Sequence, residues 1–177
     1  PGAYLLYRCR FPGRGLLRAV VSVPFVLPTV VVGVAFRSLF AAQGPFGWLG
    51  LDESFAAIVF ALVFFNYSVI VRTVGALWSR VPHGQPFLVC SALGASPARV
   101  FRTVTLPAIA PAVLSGASLV FLFCATAFGI VMVMGGVRFS TIETEIWYQT
   151  TQLLDLPAAA ALSIVQLVVV VAALIVA

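Results

Sequence analysis

Lysine is missing altogether: the ten basic residues are all arginine. A chain without lysine cannot form a P-loop, whose lysine reaches the β- and γ-phosphates of a bound nucleotide. It therefore does not hydrolyse ATP by that device. Charge of either sign is scarce at 8%, whereas a soluble domain carries roughly a quarter. There is too little polar material to face water on every side, so the solvent must be largely lipid. The single histidine, His83, has no serine or carboxylate beside it, and Cys9, Cys90 and Cys124 form no Cys-x-x-Cys pair. Structural zinc is disfavoured by that spacing, and the cysteines read as small apolar fillers or incidental loop residues. Glu143 and Glu145 stand two apart, hence on different helical faces, which suits solvation better than paired acid–base chemistry. Nucleophilic catalysis has no candidate.

What fills the chain instead is apolar: 62% of the residues, with a mean hydropathy of +1.14. A bilayer core of roughly 30 Å needs about 20 apolar residues in a helix. Four spans are predicted, at about 19–40, 54–78, 110–134 and 156–177, in an all-α helix bundle. Pro24 and Pro28 inside the first mark a kink, because neighbouring helices in a bundle can satisfy the carbonyls that proline frees. The uncharged run 103–137 is too long for one straight span, and Pro107 and Pro111 place the start of its helix near Ala110. The opening Pro1-Gly2-Ala3-Tyr4-Leu5-Leu6-Tyr7 reads as the end of an earlier span, and the chain stops inside an apolar run. A piece of a longer protein is expected.

The arginines set the orientation. Arg8, Arg10, Arg14 and Arg18 precede the first span, and Arg72, Arg80, Arg99 and Arg102 lie between the second and third. Four alternating spans put these eight on one side, leaving only Arg37 and Arg138 opposite; short Arg-rich loops stay cytoplasmic. All five acids, Asp52, Glu53, Glu143, Glu145 and Asp155, fall on the external side. A net charge of +5 distributed this way speaks for membrane topology and against nucleic acid. The external stretch 140–154 is predicted as an amphipathic helix on the outer leaflet, capped by Ser140 or Thr141, with Glu143 in its first turn. The competing reading is a packed loop.

The cytoplasmic loop, about 79–107, carries the most local information. Pro86 can start a helix, Gly94 can end it with a left-handed cap, Ser96 can cap a second helix, and Pro97 can begin it. Pro107 is expected to close that second helix before the membrane. Val100, Phe101 and Val104 form its apolar face, and Arg99 and Arg102 a basic edge. An exposed apolar helix rimmed with charge suits a protein partner. Attraction of the arginines to anionic headgroups, or packing of the helix on its own bundle, are the alternatives.

The pattern Gly94, nine residues, Val104, one residue, Leu106-Pro107 resembles the EAA loop of type I ABC-importer permeases. Further blocks, FFNYSVIVRTVGAL, SGASLVFLFCATAFGIVMVMGG, TIETEIWYQT and DLPAAAALSIVQL, resemble the ferric-iron and thiamine permease branch. Where that family has Glu-Ala-Ala, this chain has Leu88-Val89-Cys90, so the family glutamate's role does not carry over to Leu88. The resemblance implies a multi-pass protein of the bacterial cytoplasmic (inner) membrane that is not itself an enzyme. It implies a coupling loop comprising Leu88, Gly94, Ala95, Ser96, Arg99, Val100, Phe101, Arg102, Val104, Leu106 and Pro107. The partners implied are a cytoplasmic ABC ATPase dimer that holds the ATP and Mg, an external solute-binding protein, and a second permease half in the same or another chain. No cofactor is expected in this chain.

Two other classes compete. An ion-coupled carrier usually places a carboxylate or histidine within a span, where it is expensive and so functional; none of the four spans holds one. A channel would show a charged ring or a filter-like segment, and none is visible. Within the importer class, a phosphonate or polyamine is the alternative solute. Polar interruptions of the spans either bond across helices or line a passage. Ser115, Gly116 and Ser118 are read as packing residues, and Asn66 and Gln166 as the candidates for the translocation path.

Overall fold

The computed structural model describes residues 2–80, 96–136 and 138–176. Helices α1 (Gly2–Arg8), α2 (Arg14–Val26), α3 (Thr29–Phe40) and α4 (Phe55–Arg80) precede the loop, and the described residues contain no strand. After the loop come α5 (Pro97–Val100), a π-turn (Phe101–Thr105), α6 (Leu106–Ala125), α7 (Gly129–Met134), α8 (Ile142–Thr151) and α9 (Leu156–Val176). Among the described residues, three helical stretches are long and apolar enough to cross a membrane, with α2 and α3 together making a fourth if the bent pair is one span.

Helix α4 is the axis of the bundle. Ser54 starts it by accepting from the Ala57 N–H at 3.2 Å, as an N-cap hydroxyl does. Its Phe55 half, the outer one in the topology expected from the arginines, packs Ala57, Ile58 and Ala61 against Val32 and Phe40 of α3 and Ile130, Val131 and Met134 of α7. Its Arg80 half, the inner one in that topology, packs Val74 and Trp78 against Ala3 of α1 and Ile109 of α6. Helix α1 runs beside α4 in the same direction: Gly2 lies against Tyr67 and Val71, and Arg8 donates to the Trp78 carbonyl. Helix α9 is peripheral, with Ile164, Leu167 and Val168 all exposed, as expected of a surface that meets lipid or a further protein.

The first predicted span is not a gently kinked rod. Helices α2 and α3 meet at 101°. Pro24 sits inside α2 without stopping it, whereas Leu27 ahead of Pro28 is extended (φ −72°, ψ 141°). Proline disfavours the helical region for the residue before it, and here the chain turns at that residue.

The third predicted span also differs at both ends. Helical structure starts at Pro97, and Pro107 does not close it. A π-turn intervenes, in which the Leu106 N–H reaches back to the Phe101 carbonyl. The wider turn relieves the clash that a proline ring makes with the carbonyl four residues back. At the far end α6 stops at Ala125, and Thr126 donates its hydroxyl to the Leu122 carbonyl at 2.9 Å. The remainder continues as α7, which lies against α3.

The external segment folds as α8, and Thr141 is its cap. Rather than standing alone, α8 folds back along α9. Leu154, in the left-handed region at φ 54°, makes the turn between them, and Asp155 accepts from the Ala158 N–H at 3.0 Å to start α9.

Candidate functional site

Leu88, Gly94 and Ala95 lie outside the described residues, as does the helix expected from Pro86. The second half of the loop is described. Ser96 caps α5 through its hydroxyl, 3.4 Å from the Arg99 N–H, and its carbonyl accepts from Val100 at 3.0 Å. From that cap the chain stays helical to Ala125, and Ala98–Ala125 forms one stretch of 28 residues.

The expected apolar face of this segment divides in two. Val100 is 3% exposed and already packed within the fold, whereas Phe101 is 44% exposed. Val104 is half-buried, and Leu106 and Pro107 are exposed. Arg99 and Arg102 are also exposed, and among the described residues neither makes an ion pair. The surface presented beyond the bundle therefore includes Phe101 and two guanidinium groups, with Arg102 next to Phe101 in sequence and Arg99 on a different helical face. Adjacent helical residues are rotated by about 100°, so Val100 can face the bundle while Phe101 faces away from it.

The two path candidates lie apart. Asn66 is 3% exposed, donates to the Leu62 carbonyl at 2.9 Å and reaches Cys124 Sγ of α6 at 3.7 Å. Its amide thus sits at the α4–α6 contact. Its Oδ1 is buried and has no partner among the described residues. Gln166 lies roughly 15 Å along α9 from Leu156, where its amide donates to a Glu143 carboxylate oxygen on α8. Glu143 is thereby carried down beside α9 rather than left on the outer surface. Two turns of α8 are needed to bring them together, which no local pattern reveals.

Charge is sorted along α4. At its outer end Arg37 donates to the Val133 carbonyl at 3.0 Å and pairs with Glu53 at 3.3 Å. At its inner end Arg18 donates to the Leu6 carbonyl at 3.0 Å and lies over the Tyr7 ring, 4.1 Å from its centroid. Arg72 sits at this inner end with Ser68 one turn before it. Their four-residue separation was a readable sign that both occupy one helical face. No three His, Cys, Asp or Glu side chains cluster as metal ligands among the described residues.

Residues 2–177 match the family described as binding-protein-dependent transport system inner membrane component. The chain is 32% identical over 170 residues to the sulfate transport system permease protein CysT of Salmonella typhimurium, covering 91% of this chain and 61% of that protein. The Escherichia coli CysT is 33% identical with the same coverage. The molybdenum transport system permease protein ModB of Azotobacter vinelandii is 33% identical, over 77% of this chain and 63% of that protein. The chain thus spans about three-fifths of the length of these curated relatives. Their names are those of sulfate and molybdenum permeases, so the narrower ferric-iron and thiamine branch read from the sequence is unsupported. The broader reading stands, and the chain belongs to the binding-protein-dependent inner-membrane transport components, as an all-α, multi-pass permease.

Proposed function

We propose that this chain forms the membrane-spanning part of a permease that imports a tetrahedral oxyanion of the sulfate or molybdate type. Solute arrives from an external binding protein and passes between this permease half and a second one. Hydrolysis of ATP takes place on a cytoplasmic ATPase dimer, consistent with a chain that lacks lysine and hence a P-loop. The substrate class is supported by the relatives' names, sulfate and molybdenum.

One observation carries the coupling role: exposed Phe101 and Arg102 belong to the same uninterrupted helical stretch that crosses the membrane as α6. A partner that grips Phe101 holds the end of a span. An aromatic side chain with an arginine beside it is the composition that dominates binding energy at interfaces. Arg99 and Arg102 would meet acids on the ATPase, and an Arg–carboxylate pair adds direction as well as attraction.

The test is affinity purification of the permease in mild detergent, followed by identification of co-purifying proteins. A Phe101→Asp, Arg102→Glu double variant is run beside it. The expected result is a P-loop ATPase with the native protein and its loss, roughly 30-fold or more, with the variant. Vesicles containing the native complex are expected to accumulate radiolabelled sulfate or molybdate on addition of binding protein and ATP. Absence of any ATPase under conditions that keep membrane complexes intact would overturn the coupling role and favour an ion-coupled carrier.

A further inference from the structure

Between α2 and α6, along the inner half of α4, lies a groove of about 520 Å³ lined by Tyr7, Phe25, Ser68, Arg72, Thr73 and Phe123, among others. Ser68 is 1% exposed, and its hydroxyl has no partner among the described residues. Three other helical serines satisfy themselves locally: Ser22, Ser118 and Ser163 each donate to the carbonyl four residues back, at 3.0, 3.0 and 2.8 Å. A buried hydroxyl left without a partner costs about 1–3 kcal/mol, so an unpaired donor beside a cavity points to something that occupies it.

The charge in the groove has one sign. Arg72 is exposed and lines it, and Arg18 lies over the Tyr7 ring at its rim. Among the described residues no carboxylate lines the groove, and Glu53, beyond the other end of α4, is roughly 28 Å along the helix axis from Arg72. Phe25 and Phe123, 5.9 Å apart between ring centroids, close the outer side with apolar surface. A guanidinium and a hydroxyl one turn apart in a low-dielectric wall suit an anion with several acceptor oxygens.

We propose that this groove is a binding station for a tetrahedral oxyanion on the cytoplasmic half of the bundle, with Arg72 supplying the charge and Ser68 a hydrogen bond. The identification of a transported sulfate or molybdate as its occupant rests on the proposed function; the same chemistry would also hold the phosphate of an anionic lipid.

The test measures equilibrium binding of radiolabelled sulfate and molybdate to the full-length permease in phosphatidylcholine nanodiscs. Retention of phosphatidylglycerol is measured in mixed-lipid nanodiscs by native mass spectrometry. Arg72→Gln is expected to lower affinity for the occupant by roughly 10- to 100-fold, Ser68→Ala by a smaller factor, and Arg72→Lys to restore part of the loss. Arg138→Gln removes the same charge at the outer end and is expected to change nothing. Loss of sulfate or molybdate binding identifies a free oxyanion; loss of phosphatidylglycerol alone identifies a headgroup. Native-like binding of all three ligands by monodisperse Arg72→Gln and Ser68→Ala proteins would overturn the station. If Arg72→Gln alters ligand binding while the native complex transports neither sulfate nor molybdate, the import reading fails and the station stands. If transport occurs and both variants bind as the native protein does, the station fails alone.

Discussion

Gly33 of α3 lies directly against Gly129 of α7: a Cβ built on Gly33 would stand 3.3 Å from the Gly129 carbonyl oxygen and 3.2 Å from the Ile130 Cα. Gly129 in turn faces α3 about one turn earlier. A Cβ on Gly129 would meet the Val30 backbone nitrogen at 2.7 Å. Two small residues thus let α7 dock on the outer arm of the bent pair, as close helix packing in membranes requires. The two positions nonetheless differ in tolerance. Gly129→Ala has rigid backbone in its way and is expected to cost about 1–3 kcal/mol by overpacking. Gly33→Ala needs its neighbours to move only a few tenths of an ångström and should cost less. Thermal denaturation of the detergent-solubilised protein checks the order, and equal midpoints for the two variants would contradict it.

Gly75 of α4 receives the ring of Tyr7, which occupies the space a Cβ would need. Gly75→Val is therefore expected to push α1 away from α4 and expose Trp78, which is 9% exposed in the native fold and packs beside Tyr4 at 5.5 Å. Combining it with Tyr7→Ala removes the obstruction. The double variant should be more stable than the sum of the single effects predicts, with a coupling of about 0.5–3 kcal/mol. Tryptophan emission and unfolding curves of the four proteins measure it; strict additivity would show that the two residues do not share the space.

Three of the bonds that Thr141 makes fix the start of α8. Its hydroxyl donates to the Ala127 carbonyl at 2.8 Å and accepts from the Thr144 N–H at 3.3 Å, while its own N–H donates to Thr144 Oγ1 at 2.8 Å. Thr141→Ala should cost about 0.5–2 kcal/mol from the lost cap alone. Thr141→Asp keeps an acceptor for the cap but has no hydroxyl to donate to Ala127. Hydrogen exchange should therefore show α8 protected again in the Asp variant, with overall stability still below that of the native protein. Full recovery of stability by Asp would mean that the bond to Ala127 contributes nothing.

Much of the architecture was legible because charge and length encode it directly. Arg8, Arg18 and Arg72 lie toward one end of the bundle and Arg37 with Glu53 at the other, a separation along the bundle that their places in the sequence suggest. Local caps were also readable: Ser96 and Thr141 both cap the helices whose starts they announced. The breaks were not. Pro24 and Pro28 look alike in sequence, yet only the second interrupts a helix. The difference lies in what surrounds each: Pro24 is buried within the bundle, where packing holds its helix together, while Leu27 takes the extended geometry that proline prefers for its predecessor. Asn66 illustrates a different limit. A polar residue in a span advertises itself, but whether it meets Cys124 or an open passage depends on α6, which lies far along the chain. Ser68 gave no such signal, since a serine in a helix normally bonds its own backbone.

The unbroken helical stretch from Ala98 to Ala125 has a mechanical meaning. Its 28 residues make a rod about 42 Å long, which packs on α4 at Ile109, at Gly116 and near Cys124. A rod that pivots about the first of these contacts is a lever with unequal arms. With Ile109 as fulcrum, a rotation of about 10° would move the short arm near Phe101 by only about 2 Å, yet sweep the Cys124 end through about 4 Å. Under the proposed coupling role, a small stroke at Phe101 would become a larger one where α6 meets Asn66 and the chain breaks toward α7.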